Sequence, residues 1–177
     1  MHLEHAGAKY IMTNNDPSTP TRRQFLRIGL NNNAIPIRPP WAIEEHAFQG
    51  ACTRCGDCIA SCPENILMRE GTNGYPVVGF THGECTFCGD CARVCPSTAL
   101  NRFQSPVWNI KAHVSETCLT KQQVLCMSCA DHCDVRAIRF TPVAGVVSQP
   151  EINIDDCTGC GACVASCPAH SIEVKHV

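Results

Sequence analysis

Aromatic residues are scarce: they make up 6% of the 177 residues, with Trp 2, Tyr 2 and Phe 6. So few large apolar side chains leave a chain of this length with thin material for an ordinary hydrophobic core. No apolar run reaches the ~18 residues that a membrane-crossing helix needs, which excludes a helical span. No block of Lys and Arg stands out and the formal net charge is -2, so nucleic acid is not an expected partner. A Gly-rich phosphate loop, a nucleophile beside a base and a catalytic carboxylate pair are all missing. The histidines, among them His46, His82, His113, His132 and His170, share no ligand spacing and read as surface residues.

What the chain does have is cysteine, 16 in all. In a short chain that means either a disulfide scaffold or metal sites. The compartment separates the two, because disulfides belong to exported proteins and clustered thiols in a reducing cytoplasm bind metal. Thr21-Arg22-Arg23-Gln24-Phe25-Leu26 resembles the start of a twin-arginine export signal. A working signal needs roughly 7–15 apolar residues and then a small-residue cleavage site. Here Ile28-Gly29-Leu30 runs into Asn31-Asn32-Asn33, then Pro36, Pro39 and Pro40, with no Ala-x-Ala. The expectation is therefore a cytoplasmic protein whose thiols are metal ligands.

The cysteines fall into four groups: Cys52, Cys55, Cys58, Cys62; Cys85, Cys88, Cys91, Cys95; Cys118, Cys126, Cys129, Cys133; and Cys157, Cys160, Cys163, Cys167. The first cysteines of groups one to three lie 33 residues apart. Gly56, Gly89 and Gly161 follow the second cysteine of groups one, two and four, and Pro63, Pro96 and Pro168 follow the last. Group three departs from the pattern: its first two cysteines are Cys118-x7-Cys126, Met127 replaces the glycine and Asp134 the proline. Leu67, Leu100, Ile138 and Ile172 each stand five residues past a last cysteine. Each unit thus reads as a cysteine loop, a turn of helix and a strand entry. Strands are expected at Tyr75–Phe80, Gly145–Val147, Ile152–Ile154 and Ile172–Lys175, the last alternating apolar and polar.

A [4Fe–4S] cube takes one thiolate per iron. Three cysteines spaced C-x-x-C-x-x-C wrap one cube, because a tight loop aims them inward and glycine permits the required backbone. The fourth is expected to start a helical turn and point elsewhere. The run C-x2-C-x2-C-x3-C-P is the bacterial ferredoxin signature, in which the fourth cysteine ligates the other cluster of a two-cluster unit. On that rule Cys52, Cys55 and Cys58 share a cluster with Cys95, and Cys85, Cys88 and Cys91 share one with Cys62. Likewise Cys118, Cys126 and Cys129 pair with Cys167, and Cys157, Cys160 and Cys163 pair with Cys133. A nested alternative joins group one with four and two with three; near-even spacing favours neighbours. Zinc ribbons use two separated C-x-x-C pairs, which fits repeated triplets poorly. No C-x-x-C is followed by His, so c-type haem is out.

The expected fold is α+β: two tandem bacterial-type 2[4Fe–4S] ferredoxin-like units with short strands and short helices, at 48–105 and 112–177. A partly ordered N-terminal arm, 1–47, precedes them. The expected cofactors are four [4Fe–4S] clusters, and the chemistry is one-electron transfer.

One family resemblance goes further. The arm Thr21–Leu26, the segment Ile37-Arg38-Pro39-Pro40-Trp41 with Glu44-Glu45, the order of the cysteine groups and the long third group together resemble the NapF family, ferredoxin-type proteins of the periplasmic nitrate reductase system. The resemblance runs from about residue 21 to the end. It implies a cytoplasmic accessory protein that assists maturation of the molybdenum-containing catalytic subunit before export. It also suggests a contact for that subunit: Arg22, Arg23, Phe25 and Leu26, together with Arg38, Pro39, Pro40 and Trp41, since Arg and aromatic side chains are favoured interface anchors. The other role open to such a chain is that of a permanent electron-transfer subunit in a membrane-associated oxidoreductase.

Overall fold

The chain is described here from a computed structural model, over residues 35–142 and 144–177. The sequence expectations at Thr21–Leu26 and over the rest of 1–34 lie outside the described residues.

Glycine starts three of the four short helical turns that carry the cysteines. Gly56, Gly89 and Gly161 adopt φ of 94°, 83° and 86°, a region that costs a side chain but not glycine. The turns that follow are α2 (Asp57–Ala60), α3 (Asp90–Arg93) and α5 (Ala162–Ala165), after the longer α1 (Glu45–Ala51). The turn of group three, α4 (Ser128–Asp131), starts instead from Met127 at φ −132°. Its different entry follows from the long Cys118–Cys126 connection, which forms a 3-10 helix at Leu119–Gln122. In every group the third cysteine, not the fourth, lies within the helical turn; the fourth comes just after its end. The expectation that the fourth cysteine starts a helix is corrected accordingly.

The strands pair in short antiparallel ribbons. In the second half β3 (Ile110–Val114) pairs β6 (Ile172–His176), and β4 (Ile138–Phe140) pairs β5 (Pro150–Ile152). In the first half β1 (Leu67–Arg69) pairs β2 (Pro76–Val78). The counterpart of the β3–β6 ribbon is only a bridge, Ala42 to Leu100, flanked by Ile43 N–H to Ala99 O at 3.1 Å and Asn101 N–H to Trp41 O at 2.8 Å. Two such halves make the α+β ferredoxin-like fold that the repeat predicts. Gly145–Val147, expected as a strand, holds only a single bridging residue, Val146, and the ribbon strand begins at Pro150.

The bridge changes the reading of the arm. Residues 36–43 are buried or half-buried against the body rather than leading up to it. Arg38, Pro39, Pro40 and Trp41 are buried, with Trp41 only 7% exposed. The packed first half therefore begins well before residue 48. The Arg38 guanidinium bonds Glu45 at 2.7 and 2.9 Å and Glu70 at 2.9 Å, and lies over the Phe48 and Tyr75 rings. The sequence expectation that Arg38 to Trp41 form an exposed contact for a partner is corrected: their bonds and burial are internal. An Arg between two apolar stretches signals a surface anchor from sequence, but here Glu45, nearby in sequence, and Glu70, 32 residues on, neutralise it inside.

Two cores result. The first gathers Trp41, Phe48, Ile66, Leu67, Phe80, Leu100 and Ile110. The second has Ala112, Ala137, Ile138 and Ile172 among its cysteines, with Phe140 at its edge. Two-stranded ribbons and cores this small are marginal without further cross-linking.

Candidate metal centres

Sixteen free cysteines line four cavities, four to a cavity. Cys52, Cys55 and Cys58 meet Cys95 around one. Cys85, Cys88 and Cys91 meet Cys62 around the next. Cys157, Cys160 and Cys163 meet Cys133, and Cys118, Cys126 and Cys129 meet Cys167. In each case three cysteines come from one loop and its helical turn, and the fourth from the neighbouring group. Cysteines of groups one and four do not share a cavity, nor do those of two and three. The four cavities are alike in size, so one kind of guest would suit all four.

The donor chemistry fits an iron–sulfur cube. Four thiols and a wall of Ile, Leu, Ala and Pro side chains offer soft sulfur ligands in an apolar pocket. Without metal the third cysteine of each group, and Cys85, hold their protons. Burial, reinforced by neighbouring cysteines, pushes Cys58 up to about 11, Cys85, Cys91 and Cys163 to about 12, and Cys129 to about 11. Ligation would expel those protons, since thiolate is the metal-binding form. Cys118 differs: burial raises it, but hydrogen bonds from the Thr120 side chain and from the Thr120 and Lys121 backbone outweigh that and lower it.

Donors also reach sulfur directly. The Phe87 N–H points at Cys85 Sγ at 3.4 Å, and the Ser171 N–H at Cys167 Sγ at 3.3 Å. Thr120 Oγ1 lies 3.3 Å from Cys118 Sγ and Ser171 Oγ 3.2 Å from Cys167 Sγ. Such bonds stabilise ligand charge and tune a metal site. Sequence reasoning missed Thr120 and Ser171; their position two and four residues past a cysteine was the available signal.

The four cavities adjoin one another in series. Cys91 feels Cys58 of the first cavity, Cys85 feels Cys160, and Cys163 feels Cys129. The order in space is thus group one, two, four, three. At the junction between the halves Cys85 N–H donates to Cys160 O at 2.8 Å, and the Phe80 ring lies against Gly161. Cys55 and Cys88 are exposed, whereas Cys163 and Cys167 are buried. The described histidines of the sequence reading, His46, His82, His113, His132 and His170, are all exposed. No helix among the described residues is long and apolar enough to cross a membrane.

Comparison with known proteins agrees with this architecture. A family model described as a 4Fe-4S dicluster domain matches twice, at residues 51–99 and 124–171. The chain is similar to the ferredoxin-type protein NapF of Haemophilus influenzae, 45% identical over 164 residues that cover 87% of this chain and 93% of that protein. Against NapF of Escherichia coli (strain K12) the identity is 42% over 157 residues, covering 89% and 95%. The methylamine utilization ferredoxin-type protein MauM of Methylobacillus flagellatus is 34% identical over 151 residues, covering 76% of this chain and 64% of that protein. Two dicluster domains in a ferredoxin-like fold make this an iron–sulfur electron-transfer protein, and the chain belongs to the NapF family of ferredoxin-type proteins.

Proposed function

We propose that the chain carries four [4Fe–4S] clusters, one in each cysteine-lined cavity, and is an electron carrier rather than an enzyme. The ligand sets are Cys52, Cys55, Cys58 and Cys95; Cys62, Cys85, Cys88 and Cys91; Cys118, Cys126, Cys129 and Cys167; and Cys133, Cys157, Cys160 and Cys163. The observation that carries this reading is the gathering of every cysteine, four by four, with none left over. When bound, such clusters supply one-electron transfer. The protein's part is to hold them in series, exclude water and orient donors at sulfur. On this assignment the first unit comprises the segment around 37–43 as well as residues 48–105, and the second starts with β3 rather than at 112.

The likeness to NapF proteins supports the reading of its physiological role. The chain is an accessory protein of the cytoplasm that assists maturation of the catalytic subunit of periplasmic nitrate reductase before export. With Arg38 to Trp41 internal, the remaining candidate contact is Arg22, Arg23, Phe25 and Leu26. The test is a titration of iron-loaded full-length protein and of a variant lacking residues 1–34 against the precursor catalytic subunit. Weaker binding by the truncated form with unchanged iron supports the arm as the contact. Equal binding assigns recognition to the ferredoxin-like body, and no binding by either form overturns the partner.

The uninterrupted series of cavities favours a second reading, a permanent subunit that wires one redox partner to another. Stoichiometric co-purification with membrane or catalytic subunits would select it; recovery as free protein selects the accessory role.

A further inference from the structure

Two arginines occupy equivalent positions in the first half. Arg69 stands seven residues past Cys62 and Arg102 seven residues past Cys95. Each reaches back over the glycine of a cysteine loop. A Cβ on Gly56 would meet Arg69 Nη2 at 2.5 Å, and one on Gly89 would meet Arg102 Cζ at 2.7 Å. Each donates to the carbonyl of the second cysteine: Arg69 Nη2 to Cys55 O at 3.2 Å and Arg102 Nη2 to Cys88 O at 3.4 Å. Arg69 also bonds Arg54 O at 3.0 Å. These are the loops whose second cysteines, Cys55 and Cys88, are exposed.

The second half is built otherwise. The corresponding residues are Phe140, which lines the group-three cavity, and Val174, packed against the first core. Gly161 is covered by the Phe80 ring instead of a guanidinium. The cation there is Lys111, whose Nζ holds Cys157 O at 2.6 Å, on the first cysteine rather than the second.

We infer that Arg69 and Arg102 are tuning residues, each raising the reduction potential of the cluster wrapped by the loop it covers. This rests on the four-cluster reading above. Accepting an electron adds one negative charge to a site that is already anionic. A fixed positive charge beside the loop favours the reduced form. Both arginines are exposed, so ionic strength attenuates the effect. The electron comes from a one-electron donor and leaves to a one-electron acceptor; no proton or bond change is required of either arginine. With guanidinium charge at the loops of groups one and two, the Lys111 ammonium at that of group four and, among the described residues, no such bond at that of group three, electrons are biased away from the group-three cavity.

The experiment is an EPR-monitored redox titration of anaerobically prepared Arg69→Gln, Arg69→Lys, Arg102→Gln and Arg102→Lys. The group-one signal is identified as the one lost in Cys55→Ser. Arg69→Gln is expected to lower the reduced-to-oxidised ratio of that cluster about tenfold at fixed potential, about 59 mV for a one-electron couple. Arg69→Lys keeps the charge and recovers most of the shift; Arg102→Gln acts on the group-two signal alone. The shifts shrink at high salt. Unmoved potentials in fully loaded Gln variants overturn the inference, as do equal shifts in the Gln and Lys variants, which would make loop geometry the cause. Loss of iron in both Gln and Lys variants also overturns it, leaving the arginines as loop ties. Wild-type protein that never holds about sixteen iron overturns the four-cluster reading itself, a distinguishable outcome.

Discussion

The backbone N–H of Cys85 donates to the carbonyl oxygen of Cys160 at 2.8 Å, locking a loop of the first half to a loop of the second at their cysteines. The halves are therefore coupled at loops that line two of their cavities. Beads on a flexible string would leave each pair of sites isolated; this contact makes the four a single series.

Gly161 tests that junction. It sits at φ 86° with the Phe80 ring where a Cβ would go. Gly161→Ala meets both a left-handed backbone and an overlap, each costing about 1–3 kcal/mol. A fall in thermal midpoint and weakened spin coupling between the group-two and group-four clusters are expected. Adding Phe80→Ala relieves the overlap but not the backbone strain, so the two changes should be non-additive. Additive losses in a double-mutant cycle would remove the contact from the account.

Cys62→Ser tests the crossed ligand sets. Cys62 lines the cavity of Cys85, Cys88 and Cys91, although it follows Cys58 in the chain. The substitution is expected to impair the group-two cluster and to spare that of Cys52, Cys55 and Cys58. Resolved EPR signals and iron content report which is lost. Loss of the group-one signal alone would reverse the assignment.

Arg38 and Trp41 now carry stability predictions instead of binding ones. Arg38 is 7% exposed and neutralises two part-exposed glutamates, so Arg38→Ala should cost about 2–3 kcal/mol, the low end for breaking a buried ion pair. Lysine cannot reproduce the paired bonds to Glu45 and recovers only part. Trp41 is 7% exposed and borders the group-two cavity, so Trp41→Ala should cost about 3–5 kcal/mol and lower iron retention. Chemical denaturation followed by iron release checks both. Full stability in either variant would show that this segment is not part of the core.

The cysteine spacing made the site legible, because ligand geometry dictates it. A triplet loop can wrap only one cube, so the leftover Cys95 had to serve another group; near-even spacing favoured Cys52, Cys55 and Cys58, while the nested pairing stayed open until the fold was seen. Gly56, Gly89 and Gly161 were legible for the same reason: only glycine suits their backbone. The residues that tie the halves together were not. Phe80 over Gly161 joins positions far apart in sequence, as does Arg38 with Glu70 inside the first half, and no local pattern encodes either. The bridge of Ala42 to Leu100 escaped notice because a single pair leaves no alternation to detect. The weak β propensity of a Pro-rich stretch disguised the first unit's outer edge as an arm.

The central claim is that the 16 cysteines hold four cubes. Quantitation of iron and acid-labile sulfide in anaerobically prepared, full-length protein tests it most directly. About sixteen of each per chain is expected. A reproducible plateau near twelve would contradict the fourth site, that of Cys118, Cys126, Cys129 and Cys167 first, and zinc without labile sulfide would contradict the account as a whole.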